Sequence, residues 1–242
     1  MNFILYNFIY SKDLHYIIDL QSFEGVRNLL ISSLVIVSIL IIGRNLNKSY
    51  KLYLAKAICI LAIILTCYGH IIDVINDNWK LHEDLPFHLC SISNLITCII
   101  LFVPRNNKLF EFLFYCGFLG GLMAILTPQI NYYDGGHFMY FEYYISHGII
   151  ILFPLYMFYH LEMKLSKFSW LKTFFILNIL MVIIMPINYL IGSGSNYMYL
   201  AESPKIDNPL VFGDWPYYIL NWEIIVLILF YFTYLIFTRK KL

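Results

Sequence analysis

"LAKAICILAIILTCYGHIIDVIN" (residues 54–76) decides the fold. A bilayer crossing needs about 20 mostly apolar residues, and this stretch supplies them without a break. It is too long for a strand and shows no alternation, so it reads as a helix. In lipid a helix satisfies every backbone N–H and C=O within its own segment. Yet the stretch also carries Thr66, His70 and Asp73, and Asp77 follows just past its end. Their spacing of i, i+4, i+7 and i+11 puts them on one helix face. A lipid-crossing helix with one polar face needs neighbouring helices and a polar interior.

Working outward, six more apolar stretches are expected to cross: about 28–44, 85–103, 109–127, 138–160, 170–191 and 216–237. The first is marginal in length. Short polar connections separate several of them, such as "GRNLNKSYK" (43–51), "VPRNNK" (103–108) and "HLEMKLSK" (160–167). A long segment rich in Gly, Pro and Asn, 192–216, reads as an ordered functional loop. The chain is 60% hydrophobic and only 13% charged, with a mean hydropathy of +0.71. One soluble core of this size does not hide that much apolar surface. The net charge of +1 carries no electrostatic signature of a nucleic-acid partner.

Lys and Arg set the orientation. Twelve of the sixteen fall on one side of a seven-span layout: Arg44, Lys48, Lys51, Lys56, Arg105, Lys108, Lys164, Lys167, Lys172, Arg239, Lys240 and Lys241. Lys12, Arg27, Lys80 and Lys205 fall on the other. The expectation is therefore an all-α, seven-helix bundle in the cytoplasmic membrane, N-terminus outside and C-terminus in the cytoplasm. Residues 1–27 form an outer-side N-terminal segment and 28–242 a single membrane domain. Trp79, Trp215, Tyr217 and Tyr218 suit the outer interface, and Trp170 the inner one. The opening "MNFILYNFIYSKDLHY" has no basic region or small-residue cleavage site and is not read as a signal peptide. An odd number of unbroken spans fits poorly with an inverted-repeat transporter.

A second polar stripe lies on the span at 85–103. Cys90, Ser93, Asn94 and Thr97 share one face, while His88 lies about 200° around from Cys90. On the span at 138–160, Tyr140, Tyr143, Tyr144 and His147 form a patch, with Glu142 and Ser146 beside it. His70, Cys90 and His147 each lie about 7–11 Å from the outer end of their spans. This common depth predicts a polar cavity opening outward, lined by the second, third and fifth spans and covered by the 192–216 loop.

The residue types in that cavity suit nucleophilic catalysis. A thiol in apolar surroundings needs a base beside it, and an imidazole supplies one. Cys90 is the candidate nucleophile and His147 the candidate base, oriented by Asp73 or Glu142. Asn94, Ser91 or Ser93 are candidate hydrogen-bond donors to an oxyanion, with His88 and His70 as supporting groups. The bland alternatives carry weight beside this. Membrane histidines, Ser and Asn are often interhelical hydrogen-bond partners. Cys59, Cys67, Cys98 and Cys116 read as packing residues, and no disulfide framework is expected from an odd number of cysteines inside apolar spans. A different class of reading puts His70, Asp73, His88, Cys90 and His147 around a metal such as zinc, or in a solute path. No HxxxH or CxxC pair supports the metal, and the charges reach only the outer half of the bundle.

Several strings carry a resemblance. "LPFHLCSIS" (85–93), "GGLMAILTPQI" (120–130), "ISHGIIIL" (145–152), "NYMYL" (196–200) and "GDWPYYIL" (213–220) resemble the YwaF-like bacterial integral membrane proteins. These are similar in turn to the eukaryotic transmembrane-protein-164 family. The resemblance spans about residues 85–220. It implies a multi-helix membrane acyltransferase that moves a fatty acyl chain between phospholipids, onto a lysophospholipid, without a cofactor or metal. The family's proposed catalytic pair, a cysteine in "HLC" and a histidine in "SHG", matches Cys90 and His147. Asp214 stands where the family pattern has proline, and the first 26 residues match no part of it.

Overall fold

The computed structural model describes residues 18–104, 106–128, 130, 138–192, 194–204 and 210–239. Most of the expected N-terminal segment and part of the 192–216 loop lie outside them, as do Lys12, Arg105, Lys205, Lys240 and Lys241. Among the described residues the chain is helical, with no strand. Helix α1 runs Phe23–Asn45, α2 Lys48–Ile75, and α3 Leu89–Ile99, continued by a 3₁₀ turn Ile100–Phe102. Helix α4 runs Asn107–Leu126, α5 Phe138–His160, α6 Ser169–Ile191 and α7 Tyr217–Thr238.

Six of the seven are long and apolar enough to cross a membrane. The exception is α3, which with its 3₁₀ turn covers only Leu89–Phe102. Local chemistry explains why it starts late. Pro86 pushes Leu85 away from helical geometry. His88 then takes extended N-cap geometry, φ −69° and ψ 147°. Residues 76–88 turn back instead, with the Lys80 N–H donating to Asp84 Oδ2 at 2.6 Å. The other starts follow ordinary capping rules: Ser22 accepts from the Gly25 N–H and Asn47 from the Tyr50 N–H.

The largest core joins α2, α3, α4 and α5 around Cys59, Leu113, Phe114, Phe153 and Tyr156. Helix α5 packs against α1, α2 and α4, while α6 and α7 pack chiefly against each other. The α4–α5 joint depends on glycines. A Cβ on Gly121 would stand 2.9 Å from the His147 carbonyl oxygen and 2.8 Å from Ile151. A Cβ on Gly117 would stand 3.2 Å from the Ile150 carbonyl oxygen. Pro154 lacks the N–H that would otherwise bond Ile150, so that carbonyl is open to the approach. "GFLGG" (117–121) thus works as a GxxxG contact, with small residues letting two membrane helices close up.

Candidate functional site

One cavity of about 600 Å³ opens between the α2–α5 bundle and the α6–α7 pair. Its wall includes Thr66, His70, Asp73, His88, Cys90, Ser91, Asn94, Glu142 and His147. The expected convergence of the second, third and fifth spans is therefore present, and of the candidate site residues His70, Asp73, His88, Cys90, Ser91, Asn94, Glu142 and His147 reach the same space, while Ser93 does not. Asp77 does not reach it. It is an exposed residue with φ 55°, beyond the end of α2.

Cys90 is the second residue of α3. The first N–H groups of a helix have no intrahelical acceptor, and those of Leu89, Cys90 and Ser91 find none among the described residues. A short side chain in this first turn sits beside free donors and the positive end of the helix dipole. No residue type marks these amides in the sequence; Pro86, two residues before His88, is the signal of where the helix starts. Cys90 Sγ also faces Gly120, where an added Cβ would stand 3.7 Å from the sulfur. The neighbouring Gly121 is the one that receives the His147 backbone. Cys90 and His147 are thus both seated on the Gly120–Gly121 step of α4.

His147 is oriented by its own helix. Its Nδ1 lies 2.7 Å from the Tyr143 carbonyl oxygen, which only accepts, so Nδ1 carries the proton. The neutral ring then presents an unprotonated Nε2, for which no partner exists among the described residues. Tyr143 also stacks its ring on the imidazole at 4.2 Å and donates its hydroxyl to the Ala124 carbonyl at 2.9 Å. The orienting group is this residue rather than Asp73 or Glu142. Of the expected aromatic patch, Tyr143 serves the cavity, whereas Tyr140 turns to α1. It accepts from Asn28 Nδ2 at 2.5 Å and donates to Glu24.

The other candidates divide. Asn94 donates from Nδ2 to Thr66 Oγ1 at 2.7 Å, and its buried Oδ1 has no partner. Thr66 Oγ1 itself donates to the Ala62 carbonyl, which fixes the amide in that orientation. Asn94 therefore offers the cavity an acceptor more readily than the expected donor. Ser93 and Thr97 do not face the cavity. Their hydroxyls donate to the i−4 carbonyls of Leu89 and Ser93, and both side chains are buried. Ser91 lines the cavity one residue beyond Cys90. His70 accepts the Trp79 indole N–H on Nδ1 at 3.3 Å, tying residue 79 back to α2. Asp73 accepts the Asn78 and Trp79 N–H groups on its backbone carbonyl. Burial raises the Asp84 carboxyl above its ordinary value, opposed by the Lys80 N–H.

Met198, Tyr199, Leu200, Pro204 and Leu210 of the 192–216 loop line this site, and the motif residues around them form the fastening. Asn188 of α6 accepts the Tyr197 N–H at 2.9 Å and donates to the Tyr197 carbonyl at 3.0 Å. Ser195 Oγ adds a third bond to the same side chain. The fully buried Tyr197 then donates its hydroxyl to the Leu81 carbonyl and accepts the Leu85 N–H. His88 lies against the rings of Tyr197 and Tyr199, at 5.2 and 5.5 Å, and its Nδ1 accepts the Met198 N–H at 3.4 Å. His88 therefore fastens the loop to the start of α3. Met198 and Tyr199 both hold positive φ, 56° and 53°, an uncommon state for non-glycine residues that clusters at functional segments. Tyr199 lines the cavity with Cys90, and burial pushes its hydroxyl up to about 12. Trp215 and Trp222 donate their indole N–H groups to Leu200 and Leu210.

All five cysteines are free thiols, and Cys59, Cys98 and Cys116 are buried as packing residues. Among the described residues no three His, Cys, Asp or Glu side chains converge in a way that would hold a metal ion. His70 and His88 are turned to separate partners on separate segments.

The model of the TMEM164 family matches residues 21–234, well beyond the 85–220 stretch in which the motifs are recognisable. No curated protein and no solved structure matches the chain.

Proposed function

The chain belongs to the TMEM164 family, and from that premise we propose that it is a membrane-embedded acyltransferase that carries a fatty acyl chain on Cys90. One observation carries this reading: Cys90, in the first turn of α3, and the free Nε2 of His147 line the same covered cavity.

In the first half-reaction His147 Nε2 takes the thiol proton of Cys90. The thiolate attacks the ester carbonyl carbon of a donor phospholipid, and a C–S bond forms. The N–H groups at the start of α3 stabilise the resulting oxyanion. The ester C–O bond breaks, and the leaving alkoxide takes the proton from His147. In the second half-reaction a lysophospholipid hydroxyl gives its proton to His147, and its oxygen attacks the thioester carbon. The C–S bond breaks, and the sulfur leaves as thiolate and is reprotonated by the imidazole. Asn94 Oδ1 is an acceptor suited to that incoming hydroxyl.

The proposal places α3 as a seventh, shortened crossing whose first turn begins below the outer membrane surface. The N-terminus is outside and the C-terminus in the cytoplasm of a cell whose cytoplasmic membrane holds the chain, as the Lys and Arg distribution favours. Phospholipid esters lie at the interface, which matches the outer-side depth of Cys90.

The test is intact-protein mass spectrometry after incubation with a diacyl phospholipid and no lysolipid. A hydroxylamine-labile gain of one acyl chain is expected, absent in Cys90→Ala and formed about 10²–10⁴-fold more slowly in His147→Gln. Lack of any adduct on the folded wild-type protein would overturn the reading.

A further inference from the structure

Beneath Cys90 the cavity continues as an apolar slot between the middle of α4 and the α6–α7 pair. The backbone of α4 changes there: Leu113–Gly117 forms a π turn, an uncommon feature that tends to mark functional positions. Cys116 and Leu119 of α4 face Met181 of α6 and Val226 of α7 across the slot. Its floor is lined by Tyr115 and Phe230. Tyr115 and Phe230 pack ring to ring at 5.1 Å and are 0% and 2% exposed. The Tyr115 hydroxyl is bonded to Ser169 Oγ at 2.8 Å, which fixes the floor in place.

The slot has a polar end and an apolar end. At the top stand Cys90, Tyr199 and Trp222, with the Glu223 carboxylate turned to Asn178 Nδ2 at 2.7 Å. Below Glu223 no charged side chain lines it. From Trp222 to Phe230 the helical rise is about 12 Å, most of the ~15 Å that one leaflet of hydrocarbon spans.

We propose that this slot holds the acyl chain of the lipid acted on at Cys90, and that the Tyr115–Phe230 floor limits the chain length accepted. The inference rests on the acyl-transfer reading for its role, but the binding site is a separate claim. A polar solute would leave its own groups unpaired against Cys116, Leu119 and Val226. An aromatic end about 12 Å below the polar cluster suits a single unbranched alkyl chain.

The experiment uses full-length Cys90→Ala protein, which forms no thioester. Displacement of a fluorescent fatty acid is measured with octanoate, laurate, palmitate and stearate. Affinity should rise roughly fourfold per added methylene until the slot is full, then level off. Phe230→Ala should move that levelling to a longer chain. Leu177→Trp, which narrows the slot from α6, should move it to a shorter one, so the test survives if either variant fails to fold. Affinity independent of chain length, or a levelling point that neither folded variant moves, would overturn the slot. The two claims fail separately. Loss of acyl transfer leaves this length profile in place with no adduct on wild-type Cys90. Loss of the slot leaves an adduct whose chain distribution Phe230→Ala does not lengthen.

Discussion

Helices α4 and α5 and helices α6 and α7 are similar in length and all strongly apolar, yet they relate to the rest of the chain differently. Of their most apolar windows, 56% and 44% are buried inside the protein for α4 and α5, against 17% for each of α6 and α7. The first pair is close-packed through Gly117 and Gly121 and carries His147. The second pair carries the cover: Asn188 of α6 holds Tyr197, and Trp215 just before α7 and Tyr218 in its first turn hold Leu200 and Tyr199. The difference separates two jobs. On the proposed acyl-transfer reading, groups that need fixed geometry sit where packing is dense, and groups that would admit a lipid sit where less of the helix is buried. Both sets of residues belong to the motifs legible in the chain, so a motif residue by itself does not say which job it does.

The sharpest way to break this comparison is one substitution at two glycines. Gly121→Ala puts a methyl against the His147 carbonyl oxygen and Ile151, at 2.9 and 2.8 Å, where backbone has to move. It should destabilise the protein by about 1–3 kcal/mol and reduce adduct formation on Cys90. Gly148, beside His147 in the "SHG" motif, has nothing within 4 Å of an added Cβ. Gly148→Ala should leave thermal stability unchanged or raise it by about 0.5–1 kcal/mol, as expected for Ala over Gly in a helix. If Gly148→Ala leaves stability intact yet blocks turnover, the open space beside it is substrate space. Equal melting temperatures for the two variants would remove the close-packing account of α4 and α5.

The cover should yield next. Asn188→Ala removes three hydrogen bonds to residues 195–197 and should cost about 1–3 kcal/mol locally. Hydrogen exchange should rise at residues 195–200 while α4 and α5 stay protected. Exchange rising equally in α4 would mean that the two regions are one cooperative unit.

The smallest effect concerns Asp84, at the rim between them. Its carboxyl is raised by burial, so the fold favours the neutral form. That contribution is fully present below the ordinary carboxylate range and is lost as pH rises through the raised value. Asp84→Asn should therefore melt slightly above wild type at neutral pH, with the gap closing toward acid. A gap of constant size across that range would show that the carboxyl is not desolvated.

Much of this was legible in the sequence, for a physical reason. Lipid forces each crossing to satisfy its backbone within one segment, so the long apolar runs and their breaks are local properties. Helical periodicity is local too, which is why Thr66, His70, Cys90, Asn94 and His147 could be put on polar faces at one depth before their helices were seen to meet. The apolar run alone starts the third span near residue 85, but Pro86 and the His88 cap outweigh it and start α3 at Leu89. What only the tertiary structure decided are contacts between residues far apart in sequence, and competition among polar groups. Ser93 and Thr97 share a face with Asn94, but their own backbone takes their hydroxyls. Asp73 and Glu142 suit an imidazole by charge, but the Tyr143 carbonyl is nearer. His88 stands two residues before Cys90 in sequence yet is bound by Tyr197 and Tyr199. Periodicity says which way a side chain points; which partner it meets there depends on the packing of another helix, and for Cys90 and His147 that packing turns on two adjacent glycines.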